Sequence, residues 1–205
     1  MNSLNKSILS FIKKDCIAEF GTEKGMKIYT DTSVMLTELL ENADFRNSNA
    51  VEKHLRYYIL PEIAFYRAMQ KNGVEKEKAY LFLHKELQKT AIKAGKKISI
   101  FTILPYFFFI AKWIIKKTMA YYFPKTGWKT EWKVDDKKEL AMNIHSCLYL
   151  ETFTQYGCPE ICKATCDTDI TTYDSLAPKM IFVRTKTLST GGDCCDFRFL
   201  NGDKK

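Results

Sequence analysis

Glycine is scarce in this chain, 9 of 205 residues, and histidine scarcer, with 3. No internal repeat and no low-complexity linker interrupts it, which excludes a fibrous or disordered chain. No run of apolar residues reaches the ~18–20 that a membrane-spanning helix needs. The longest candidate, residues 98–111, is broken by Pro105 and ended by Lys112. There is no glycine-rich phosphate loop, dinucleotide fingerprint, nucleophile elbow or zinc-protease motif. Helix-turn-helix and zinc-finger signatures are also missing, so nucleic acid is not the expected partner. Residues 1–6 lack the charged, apolar, small-residue succession of a secretory leader. The seven cysteines are therefore read as reduced thiols rather than a disulfide frame, and the expected compartment is the cytoplasm.

An apolar fraction of 46% and an aromatic fraction of 14% suffice for a sizeable core. Net charge is +8, but lysines are dispersed among glutamates. That balance fits an anionic small ligand at least as well as a polyanion.

Residues 1–123 read as helical. Apolar residues recur at mixed three and four spacing over 4–20 and 23–41. Asn49 is a candidate cap for a helix whose apolar stripe runs through Val51, Leu55, Tyr58, Ile59, Ile63, Tyr66 and Met69. Pro61 predicts a kink or break within it, and Asn72-Gly73 stops it. A further helix over residues 74–94 buries Ala79, Phe82, Leu83 and Leu87, with Gly95 closing it. Residues 98–123 read as a buried core or interface segment, with contact at a membrane surface or a tilted span as the alternatives, and Pro124 ends it.

From Gly127 the period changes to two. Residues 128–134 alternate as a strand, 135–138 form a turn, and 140–145 form a half-buried strand. Residues 148–156 and 159–173 read as helices. Residues 179–188 and 196–199 then form a hairpin turned at Gly191-Gly192, with Phe197 and Phe199 on one face and Asp196 and Arg198 on the other. The expected architecture is α+β: a helical N-terminal half packed with a C-terminal antiparallel sheet, β-β-α-α-β-β, carrying helices on one face. Residues 1–124 and 125–205 are the two regions, or parts of one continuous domain.

Reactive side chains concentrate in C-P-E-I-C-K-A-T-C-D-T-D, residues 158–169. Cys158, Cys162 and Cys166 share a helix face at four-residue spacing, with Asp169 three further on. Cysteine is also a small hydrophobe that is often just buried, the bland reading for Cys162. Cys147 ends a strand and Cys194-Cys195 begins the last one. Convergence of Cys147, Cys166 and Cys195 with a carboxylate such as Glu160 gives a zinc-compatible donor set, although the spacing matches no recognised finger. His145, two residues before Cys147, is a candidate general base near a thiol. His54 and His84 read as packing or surface residues.

Several stretches, in order, resemble the L-2-amino-thiazoline-4-carboxylic acid hydrolase family: I-L-P-E-I-A-F-Y-R-A at 59–68, Y-F-P then G-W at 122–128, Y-G-x-P-E at 156–160, Cys166 with Asp169, R-T-x-T-L at 184–188, and G-G-D-x-C-D-F-R at 191–198. The resemblance implies opening of a 2-aminothiazoline-4-carboxylate ring to an N-carbamoyl amino acid. Cys166, Cys195 and Asp169 are then the candidate catalytic residues, and Arg184, Arg198, Asp196, Thr187 and His145 the candidate substrate contacts. Either a cysteine thiolate or a hydroxide on a bound zinc is the attacking group. An Arg184–Asp196 ion pair that only orders the hairpin is the structural alternative. The C-terminal half is also similar in layout to ligand-binding domains of the vinyl-reductase type, which implies a non-catalytic binding or sensor module. A membrane-surface protein using residues 98–123 is a third reading, and a homo-oligomer is compatible with all three.

Overall fold

The computed structural model describes residues 3–202; Met1 and Asn2 of the leader reading lie outside the described residues. Helices α1 (Ile12–Phe20), α2 (Thr22–Glu41), α3 (Asn49–His54), α4 (Leu60–Lys71), α5 (Lys76–Ser99) and α6 (Phe107–Tyr122) precede the sheet. Strands β1 (Trp128–Asp135) and β2 (Glu139–Cys147), helices α7 (Leu148–Gln155) and α8 (Ile161–Asp174), and strands β3 (Met180–Val183) and β4 (Cys195–Asn201) follow. The sheet is antiparallel throughout, in the order β1-β2-β4-β3. The α+β architecture is the expected one.

Helix α4 forms the centre of the helical half. From Leu60 to Met69 only Arg67 is exposed, so α4 is enclosed on all sides rather than along one stripe. The chain meets Pro61 without breaking. A π turn at Leu55–Ile59 joins α3 to α4. Proline has no N–H for the carbonyl four residues back, that of Tyr57, and the Ile8 N–H fills the vacancy at 2.8 Å. The cap of α3 is Ser48, whose Oγ accepts from Val51 N, not Asn49.

Gly95 does not close α5, which continues to Ser99. It is the point where α5 crosses the end of α8. A Cβ there would lie 3.0 Å from Ser175 Oγ and 3.1 Å from Thr172 O. Small size, not a helix stop, is what this position requires.

On the sheet, Leu140 faces Phe199, Met142 faces Phe197 and Ile144 faces Cys195. These residues and Phe182 form the inner face, against which α8 packs Tyr173, its ring 5.0 Å from Phe182 and 5.1 Å from Phe199. Asn143, Asp196 and Arg198 fall on the outer face, as period two requires. The expected two-residue hairpin is a longer connection. Strand β3 ends at Val183, and residues 184–194 include a short 3₁₀ turn, Leu188–Thr190, capped by Gly191 at φ +85°. The edges are unlike each other. Strand β3 has 4 residues, and β1 has two register shifts.

Residues 98–123 join the core only in part. A 3₁₀ turn (Ile100–Ile103) leads through Pro105 and a left-handed Tyr106 (φ 58°) into α6. Only Phe107, Phe108 and Ala111 of α6 are buried, whereas Ile103 is 83% and Trp113 62% exposed. A helix packed on one side buries one stripe, and the apolar residues of α6 extend beyond it. Lys112 and Lys116 pair with Asp135 at the end of β1 and tie the helix to the sheet. Among the described residues no helix is long and apolar enough to cross a membrane.

Candidate functional site

Between α6 and the inner face of the sheet lies a cavity of about 690 Å³. Residues 98–123 form its roof, with Thr118 the sole polar side chain that this stretch contributes. The inner face of the sheet supplies Trp128, Met142, Ile144 and Phe197. Polar groups enter from α4 and α8, through Glu62, Thr165, Cys166, Thr168 and Asp169, and from Arg184 just after β3. Helical spacing explains the α8 set. Positions 165, 168, 169 and 172 are three or four apart, and all four border the cavity.

Cys147, Cys166 and Cys195, distant in sequence, border this one cavity together with Asp169 and Arg184. Arg184 is nearly enclosed, its side chain 3% exposed. Its Nη1 donates to Asp169 Oδ2 at 2.8 Å and its Nη2 to the Cys166 carbonyl at 3.0 Å. The guanidinium also lies 5.4 Å from the Phe197 ring centroid. The alternative of an Arg184–Asp196 pair is therefore not what forms. The Asp169 side chain is 36% accessible although protein surrounds it, because the surface it exposes is that of the cavity. Burial raises its pKa to about 6, against the opposing pull of Arg184.

The thiols differ in character. Burial pushes Cys147 up to about 12 and Cys195 up to about 11, so both are neutral thiols, and Cys195 Sγ accepts from Leu188 N at 3.3 Å. Cys162 is enclosed and stands 4.0 Å from Cys166 Sγ. Its hydrogen-bonding contact with Cys166, in which either thiol can be the donor, and its burial raise its pKa. Cys166 shares that contact and accepts a hydrogen bond from Ser189 Oγ at 3.5 Å. These lower its pKa against the cost of burial, with Arg184 adding to the effect. Among the three cavity cysteines, Cys166 alone is shifted toward the thiolate.

Sequence reasoning attached no role to Glu62. It is completely buried and borders the cavity. Its Oε2 accepts from Thr165 Oγ1 at 2.6 Å, while Oε1 has no hydrogen-bond partner among the described residues. Burial raises its pKa to about 8. Its one sequence signal is its isolation, a single charged residue in L-P-E-I-A-F-Y. Tyr149 also borders the cavity, and its hydroxyl is 2.9 Å from His54 Nδ1. His54 itself is a packing residue among Phe123, Trp128 and Tyr149.

Other expected contacts lie elsewhere. Arg198 is on the outer face of the sheet and makes a two-point contact with Glu139, at 2.6 and 3.0 Å. Asp196, also outward, accepts from the backbone N–H groups of Thr185 and Lys186 and orders the connection after β3. His145 Nε2 is 3.0 Å from Glu131 Oε2. Alternation along β2 and β4 turns all three away from the cavity. Thr187 is buried, its hydroxyl shared with Ser189 and Thr190. Glu160 does not join the cysteines. It accepts from Tyr66 Oη and pairs with Lys76, each at 2.8 Å, because it precedes α8 at the end remote from Asp169. Among the described residues, no three His, Cys, Asp or Glu side chains are grouped to hold a metal ion.

No curated protein and no solved structure matches the chain. Residues 52–199, which run from α3 to β4 and include every polar group of the cavity, match a family model. The chain belongs to the L-2-amino-thiazoline-4-carboxylic acid hydrolase family.

Proposed function

We propose that the chain hydrolyses a cyclic amidine of the thiazoline carboxylate type, opening the ring to an N-carbamoyl amino acid, with Cys166 as nucleophile. The observation that carries this reading is the setting of Cys166: a thiol bordering a cavity, in hydrogen-bonding contact with Cys162 and Ser189, one turn from the Asp169–Arg184 pair. Membership of the family supports the reaction class.

The chemistry balances with water as the co-reactant. The Cys166 thiolate attacks the ring carbon between sulfur and nitrogen. The carbon–sulfur bond of the ring breaks, and the sulfur leaves with its electron pair and a proton from Asp169, whose pKa near 6 keeps part of it protonated near neutrality. The product of this half is an isothiourea on Cys166. Water then adds to the same carbon, Asp169 takes its proton, and the Cys166 thiolate departs, leaving a urea, which is the N-carbamoyl group. Arg184 holds the Asp169 carboxylate and adds positive charge beside the thiolate.

Thiol release from 2-aminothiazoline-4-carboxylate, followed with a thiol-specific chromophore, tests this. Cys166→Ser should reduce turnover by at least about a thousandfold with an unchanged thermal midpoint. Turnover within tenfold of the parent would remove Cys166 from the chemistry.

A further inference from the structure

The named substrate of the family is a small polar ring acid, and the cavity is neither small nor polar. Its 690 Å³ is a volume that encloses drug-sized ligands, several times that of one five-membered ring. The whole roof from Ile98 to Phe123 offers Ile, Leu, Phe, Ala and Met side chains with one threonine. Such a surface gains nothing from a carboxylate and binds hydrocarbon.

The polar wall is equally selective. Arg184 is the sole Lys or Arg among the described lining residues, and both of its terminal nitrogens are committed, to Asp169 and to the Cys166 carbonyl. A ligand carboxylate therefore has to compete with Asp169 for the one cation of the wall. Glu62 is the reverse case, a fully buried carboxyl at the cavity wall with Oε1 unpartnered among the described residues. A buried polar atom without a partner is costly, and an N–H group on the ligand removes the cost.

We infer that this cavity takes an amphipathic ligand: a cyclic amidine head whose N–H groups meet Glu62 beside Cys166, and an apolar body lying beneath α6. The inference rests on the proposed function for the location of the head and replaces its substrate by a larger, apolar-bodied member of the same class.

Titration calorimetry on the full chain compares three probes: 2-amino-4-octyl-2-thiazoline, 2-aminothiazoline-4-carboxylate and octanoate. The octyl amidine should bind at least about tenfold more tightly than either of the others, since it alone carries both the N–H head and the apolar body. Thr118→Trp, which fills the cavity from the roof, should weaken it at least tenfold. Trp113→Asp, on the outer side of α6, should leave it unchanged. Equal binding of octanoate would overturn the head assignment, and equal binding of the ring acid would overturn the body. Loss of binding in Trp113→Asp with none in Thr118→Trp would move the ligand to the outer surface and end the inference. The two readings fail separately. Cys166-dependent thiol release from the small acid without octyl binding sinks this inference alone, and octyl binding with a fully active Cys166→Ser sinks the mechanism alone.

Discussion

Three buried ionisable groups give the chain a stability that depends on pH in opposite senses. Burial lowers His54 from 6.5 to about 4. Its contribution is therefore complete above 6.5 and is lost as pH falls through 4, because the unfolded chain takes up the proton first. Glu62 is raised from 4.5 to about 8 and Asp169 from 3.8 to about 6. Carboxyls kept neutral contribute below their unfolded values, and that contribution disappears as pH rises through 6 and then 8. On these three groups stability should be level in acid up to about pH 4.5 and decline from there to pH 8, the His54 contribution offsetting part of the loss. Glu62→Gln, which cannot ionise, should flatten the decline between pH 5 and 8 by on the order of 3 kcal/mol, read from urea midpoints across that range. Parallel curves for the parent and this variant would mean that Glu62 is ionised in the fold. Cys166 was legible at this scale, since the acids around it set it apart from a plain apolar filler. Glu62 was not, because enclosure of α4 on every side arises from packing by distant segments and leaves no local spacing to detect.

Helices and strands were legible wherever one period ran uninterrupted. Period two over β2 and β4 predicted which residues share a face, and the cross-strand pairs agree, whereas in β1 two register shifts interrupt the alternation. Reading failed at punctuation. Gly95 looks like a stop, yet helix α5 passes through it to meet α8. Gly95→Leu should therefore cost roughly 1–3 kcal/mol, the usual penalty for overfilling a packed contact, measurable in a urea titration. A helix-terminating role would predict almost no change. The Gly191-Gly192 pair suggested a tight hairpin, but Asp196 binds two backbone N–H groups upstream and stabilises a wider excursion after β3. That excursion carries Arg184 toward Asp169 on α8 instead of toward Asp196.

At the level of the molecule, one buried cluster runs from Leu4 to Phe199, and the cavity draws lining residues from both halves. Helix α8 rests on the sheet with one side and meets α4 and α5 with the other, through Thr165 with Glu62 and Thr171 with Gln88. A fragment of residues 125–205 should consequently lack a cooperative thermal transition and bind a hydrophobic dye, while the full chain unfolds in one step. Cooperative unfolding of the fragment would mark an independent unit. The cavity itself was invisible in the sequence, since it is the space left where a short apolar helix bridges over the sheet without filling it. The sheet's two borders have a consequence of their own. An open strand invites another extended segment to pair with it, and proteins discourage this with short, irregular or lysine-bearing margins. Here β3 is short, and β1 is bulged and carries exposed Lys129 and Lys133. Fibril-like growth by strand addition is thereby disfavoured on both flanks.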